Sequence, residues 1–281
     1  FIKFIFFIIG NLPFFILYQI SNFLSFFLYN LVKYRVDVVD NNLKLSNLNL
    51  SSNQIKDLKS KFYTHFCDIY LEMIKLDYLN KNQIKNRFKV LNPELANSFF
   101  SKGKSVIIMV SHYGGYEWCT TLDNYFDHQV AAIYTPLKDE EFEKLILKSR
   151  KRHGIKLIPR YNALDEIRNL EKSGNKFMYG FMADQSPQIR KINYWSNFLG
   201  VEVPVFTGAE RMAKELDIPV IFGKMSKISR GKYEMKLELI TDKPNYHEDF
   251  EITEKYLRLV ENQIHEAVSY THLTLPTSPK V

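Results

Sequence analysis

The stretch "SHYGGYEW" (111 to 118) brings a histidine, two glycines and a glutamate close together. A histidine beside a carboxylate is an arrangement for moving protons. The carboxylate fixes the tautomer and stabilises the imidazolium, leaving the other ring nitrogen as a general base. On an unbroken α-helix, residues five apart such as His112 and Glu117 would point about 140° away from each other. Gly114 and Gly115 relieve this by permitting a tight loop out of a strand and a helix that begins near Tyr116. The expectation is His112 at the carboxyl end of a strand, with Glu117 in the first helical turn pointing back and hydrogen-bonded to its ring. The same residues also describe an ordinary Gly-Gly turn with an acidic helix start. This chemistry calls for no metal and no cofactor.

The flanking sequence must supply that strand and its partners. "SVIIMV" (105 to 110), "HQVAAIYTP" (128 to 136), "KLIPR" (156 to 160) and "KFMYGFMADQ" (176 to 185) read as strands, with helical stretches at about 138 to 152 and 163 to 173. Such alternation predicts an α/β fold, an αβα sandwich around a mainly parallel mixed sheet whose ligand sites gather at strand carboxyl ends. "IPVIFGKMSKI" and "YEMKLELI" add two strands around a turn at Arg230-Gly231, and a last helix spans about Ile252 to Ala267. Upstream, residues 53 to 76 carry Ile55, Leu58, Phe62, Phe66, Ile69 and Met73 at helical spacing. His65 in that helix reads as packing or surface, and 81 to 90 reads as a second, basic helical piece. Thr207 and Glu210 have the spacing of a helix-capping box, and the same helix start is suited to a phosphate.

The chain has 281 residues, 46% of them apolar and 25% charged, enough for a real core and too apolar for disorder. Its net charge of +7 suits anionic lipid, acidic proteins or nucleic acid. Nucleic acid is disfavoured, because no zinc-knuckle spacing, RNP-like aromatic motif or long basic block is present. Cys67 and Cys119 are too few and too far apart for a disulfide framework or a metal site. Cys119 lies near His112 but inside an apolar stretch, which favours a buried thiol over a nucleophile.

No charged residue occurs from Phe4 to Val32, and nine phenylalanines fall within residues 1 to 27. Gly10, Asn11 and Pro13 interrupt the tract and leave Phe14 to Val32 as the longest continuous segment, about 28 Å as a helix. Residues 1 to 33 are therefore read as a hydrophobic membrane helix or anchor. Lys33 and Arg35 follow it, which places the rest of the chain, with a folded domain over 34 to 267, in the cytoplasm. The first residue is Phe1, so further membrane helices before it are left open.

Beyond the dyad, "KFYTHFCDIYLEMIK", "NPEL", "GKSVIIMVSHYGGYEW", "YTPLKDEEFEKLILKSRKRHG", "MADQSP" and "YWSNFLGVEVPVFTGAERMAKEL" occur in an order and at distances that resemble one family. It is the bacterial lipid A biosynthesis lauroyl/myristoyl acyltransferases, within the lysophospholipid acyltransferase-like superfamily. The resemblance covers about residues 12 to 266. It implies transfer of an acyl chain from acyl carrier protein to a hydroxyl of a lipid A precursor, at the cytoplasmic face of the inner membrane. Carried over, His112 is the general base, Glu117 its orienting acid, and Arg150 and Asp184 the remaining catalytic residues. Tyr134, Arg152 and Gln185 are assigned to substrate binding. Attack of a hydroxyl on a thioester needs a base and stabilisation of the carbonyl oxygen, by Arg150 or backbone amides. A cluster such as Arg150, Lys151 and Arg152 also suits phosphate.

Two departures stand out. The dyad loop reads Gly-Tyr-Glu where many members carry Asn-Trp-Glu or similar, and "VSYTHLTLPTSPKV" replaces the family's usual ending. Residues 268 to 281 read as a foreign tail. Acylation of glycerolipid or another glycolipid, from acyl carrier protein or acyl-CoA, is the alternative activity. Lipid binding without catalysis is the rival from a different class.

Overall fold

The computed structural model describes residues 2–45, 51–137, 139–187 and 192–266, so the tail at 268 to 281 lies outside the described residues. Two apolar helices, α1 (Ile2–Asn11) and α2 (Phe14–Phe26), open the chain, and α2 continues through a π-helical turn at Phe27–Leu31. They are followed by α3 (Val36–Leu45) and the long α4 (Ser52–Leu76), whose N-terminus is closed by a Ser51/Gln54 capping box. The remaining helices are α5 (Lys81–Lys85), α6 (Glu94–Ser101), α7 (Glu140–Lys151), α8 (Ala163–Lys172), α9 (Gly208–Leu216) and α10 (Glu251–Glu266).

Seven strands form one sheet: β1 (Phe88–Val90), β2 (Val106–Val110), β3 (Gln129–Tyr134), β4 (Lys156–Pro159), β5 (Phe177–Met182), β8 (Val220–Ser229) and β9 (Lys232–Thr241). Their order is β1-β9-β8-β2-β5-β3-β4, and every neighbouring pair is parallel except the β8–β9 hairpin. The predicted α/β fold with a mainly parallel mixed sheet is thus what forms. All five residues of β2 are buried, as expected for a central strand covered on both faces. A separate small hairpin pairs β6 (Trp195–Phe198) with β7 (Val201–Pro204).

The basic segment 81 to 90 departs from expectation. It holds only the short α5, after which Phe88–Val90 pairs with Tyr233–Met235 as edge strand β1. Burial of Phe88 at the sheet edge outweighs the local helical pattern there.

From Phe14 to Leu31 the chain is helical and apolar enough to cross a membrane, and 17% of that span is buried. Its inward side is the polar one. Tyr18 Oη donates to Glu72 Oε1 at 3.0 Å, and Ser21 Oγ donates to Asp68 Oδ1 at 2.6 Å, both carboxylates lying on α4. Phe15, Phe23, Phe26, Phe27 and Leu31 face outward. Satisfied polar groups toward the domain and bare aromatics away from it are the reverse of a water-facing helix.

Candidate active site

The site forms where β2 and β5 end side by side. Their parallel register pairs Val110 with Met182, so His112 and Asp184, each two residues further on, come opposite one another. Asp184 Oδ1 accepts from His112 Nδ1 and Oδ2 accepts from the His112 backbone N–H, both at 2.7 Å. One carboxylate therefore fixes both the ring and the peptide it hangs from. Burial disfavours the imidazolium of His112, but the charge and hydrogen bond of Asp184, helped by Glu117, outweigh it and raise its pKa. With Nδ1 committed to Asp184, Nε2 is the nitrogen left to meet a substrate.

The hydrogen bond expected from Glu117 to His112 is therefore made by Asp184, and Glu117 takes another partner. Glu117 lies in the first turn of the helix expected near Tyr116, which is a 3₁₀ helix over Tyr116–Asn124. Its Oε1 accepts from Arg150 Nη2 at 2.9 Å. Arg150 comes from the last turn of α7, and the pair is largely buried, with side-chain exposures of 27% and 9%. Both glycines of the loop are required by its shape. Gly114 has φ +58°, and a Cβ on Gly115 would lie 2.8 Å from the Tyr233 ring.

The strand ends are held from the other side by α10. Tyr256 Oη donates to Val110 O at 2.8 Å, and Ser111 Oγ donates to the buried Gln263 Oε1 at 2.8 Å. These bonds satisfy polar groups that the strand end would otherwise bury unpaired.

A cavity of about 950 Å³ opens at this edge, near the upper end of the range for ligand pockets, about 300–1,000 Å³. Its rim carries His112, Glu117, Tyr134, Arg150 and Gln185, while Ile108, Val130, Leu157 and Met212 make its interior apolar. It enters a parting of the sheet. β3 pairs with β5 only as far as Ala132 and Gly180; beyond them Ile133 and Tyr134 stay with β4, while Phe181 and Met182 stay with β2.

Five of the residues expected at the site, His112, Glu117, Arg150, Tyr134 and Gln185, share this cavity, and Asp184 backs His112. Arg152 does not join them: it is exposed just past the end of α7, outside the cavity wall. Tyr134 Oη donates to Glu143 Oε1 at 3.3 Å. Arg160 and Arg211, which the sequence reading did not single out, also line the cavity. Arg160 follows β4 at the same carboxyl edge, a position that already marked it for attention. The Thr207/Glu210 capping box does not form, because Glu210 Oε2 accepts instead from the backbone N–H and hydroxyl of Thr253. Cys119 is buried in the cavity wall, where burial pushes its thiol up to about 12, so it remains protonated at neutral pH.

A histidine braced by a carboxylate at the rim of a deep apolar chamber, on the carboxyl edge of a mainly parallel sheet, defines an α/β protein equipped for chemistry on a long apolar ligand. The chain belongs to the bacterial lipid A biosynthesis acyltransferase family, whose model it matches over residues 1–273. It is therefore an acyltransferase. Among solved structures it resembles the 1-acyl-sn-glycerophosphate (LPA) acyltransferase PlsC from Thermotoga maritima, at 15% identity and a TM-score of 0.40, over 89% of this chain and 97% of that one. No curated protein matches it.

Proposed function

We propose that this protein transfers a fatty acyl chain from acyl carrier protein to a hydroxyl of a lipid A precursor, at the cytoplasmic face of the inner membrane. The observation that carries the reading is the His112–Asp184 pair at the rim of the apolar cavity. In this reading His112 Nε2 removes the proton of the acceptor hydroxyl as its oxygen attacks the thioester carbonyl. The tetrahedral intermediate collapses by breaking the C–S bond, and the proton held on His112 is available to the departing thiolate. No acyl-enzyme is required, since a thiolate leaves readily. In the same reading Arg150 stabilises the carbonyl oxygen as its charge develops, a role supported by its ion pair with Glu117 beside His112. Arg160 and Arg211 supply further positive charge at the rim for a phosphorylated glycolipid.

The cavity's apolar depth supports an acyl chain as its occupant, and the outward aromatic face of α2 supports work at a lipid surface. The net charge of +7 suits both an acidic carrier and anionic lipid. The test is acyl transfer by purified protein from labelled acyl carrier protein to a lipid A precursor, run beside acyl-CoA and glycerolipid acceptors. His112→Ala should lower transfer by about 10²–10⁴-fold while leaving the fold intact. Full activity in that variant would remove the mechanism, and preference for a glycerolipid acceptor would redirect the substrate.

A further inference from the structure

Between His112 and Glu117 the chain passes through two glycines, the residues that lose most conformational freedom on folding. Something outside the loop must hold it, and α4 supplies the holding groups. His65, Asp68 and Glu72 occupy positions i, i+3 and i+7 of α4 and so share one face. All three are buried, with relative exposures of 3%, 1% and 2%.

His65 Nε2 lies 3.2 Å from the carbonyl oxygen of Gly114. A carbonyl only accepts, so Nε2 carries the hydrogen, and Nδ1 of the neutral ring is then an acceptor. Lys227 Nζ, 3.0 Å away, donates to it. Lys227 is in turn 3.8 Å from Asp68, which Arg230 also binds at 2.6 Å. Two turns beyond His65 on α4, Glu72 Oε2 accepts from the indole N–H of Trp118 at 3.0 Å. Trp118 adjoins Glu117. One helix face thus grips the chain at two points, Gly114 within the loop and Trp118 just past it.

We propose that His65 is a positioning residue for the His112–Glu117 loop. Its ring is not part of the cavity lining. Since His112 is already held by Asp184, fixing the Gly114 carbonyl sets where the Glu117–Arg150 pair stands relative to it. The inference rests on the reading of His112 as the base.

The test separates the two bonds of the ring. In His65→Gln the side-chain amide reaches the place of Nε2 and keeps the bond to Gly114. In His65→Asn the shorter amide reaches only the place of Nδ1 and keeps the bond to Lys227. His65→Asn should lower kcat by about 10–100-fold with KM for the acyl donor within about twofold, since a misplacement of about 1 Å costs about that much. His65→Gln should recover most of the loss. Equal activity in both variants, recovery by Asn instead of Gln, or a change confined to KM would overturn the proposal. Full activity in His112→Ala, measured alongside, would instead overturn the base reading and the inference with it.

Discussion

Asp184 binds His112 twice, at the ring through Oδ1 and at the backbone N–H through Oδ2, with both distances 2.7 Å. Two donors of one residue thereby fill two acceptors of another. The geometry follows from the parallel register of β2 and β5, so this pair of bonds is set by the sheet, whereas the loop beyond His112 is held by α4.

An amide cannot reproduce it. Asn at position 184 has one acceptor and one donor; with the acceptor on the peptide N–H of His112, its NH2 faces Nδ1 and holds the ring in the tautomer that carries its hydrogen on Nε2, which cannot act as a base. Asp184→Asn is expected to lower kcat by about 10²–10⁴-fold in the acyl-transfer assay, comparable to loss of the orienting carboxylate in other histidine-based sites. Near wild-type kcat would show that ring orientation is supplied elsewhere.

This pairing was half visible in the sequence. Strands 105 to 110 and 176 to 185 were evident from their apolar runs, the first followed two residues on by His112 and the second ending in Asp184 and Gln185. What residue types do not reveal is that these two strands are neighbours, with β5 inserted between β2 and β3. Without that adjacency, the nearest carboxylate in sequence, Glu117, took the role that Asp184 fills. The same limit hid β1, whose partner β9 lies far along the chain, and it made His65 look like ordinary packing. The apolar N-terminus and the helix at 53 to 76 were legible because their signals are local.

The pH dependence follows from the raised pKa of His112. A general base works only when neutral, so activity falls as pH drops through that pKa. The acid limb of kcat/KM is expected above the usual histidine value of 6.5. In Asp184→Asn the main raising influence is gone while burial still disfavours the charged ring, so the limb should move to lower pH as the maximum falls. Glu117→Gln should move it in the same direction by less, since Glu117 acts on the ring without holding it. An acid limb unmoved in Asp184→Asn would detach the profile from His112.

Glu117 and Arg150 should behave as a unit. Removing one partner of a largely buried ion pair strands the other, at about 3–5 kcal/mol when burial is complete and less here because Arg150 is 27% exposed. Glu117→Ala and Arg150→Ala are each expected to reduce kcat by about tenfold or more and to lower the melting temperature. The double variant should be little worse than either one, giving an interaction energy of about 0.5–3 kcal/mol in a double-mutant cycle. Additive losses would mean that the two residues act separately, and Glu117 would then need a partner other than Arg150.

Acyl-chain length should be set where the sheet parts. Gly180 and Ala132 face each other at the last rung between β5 and β3, and the cavity passes over them. A Cβ built on Gly180 would meet Ala131 and Ala132 only at 3.8–3.9 Å, ordinary contact, so the fold itself tolerates a larger residue there. The side chain would instead occupy cavity. Gly180→Ala should therefore leave transfer nearly unchanged, whereas Gly180→Leu should shorten the preferred donor. Each methylene that no longer fits costs about 1–3 kcal/mol, so discrimination of about 10–200-fold per step is expected. Competition among acyl carrier proteins bearing a ladder of chain lengths, read by mass spectrometry of the lipid product, measures this directly. If Gly180→Leu stays active with an unaltered length profile, the chain runs elsewhere, and the parting of the sheet serves the head of the acceptor instead.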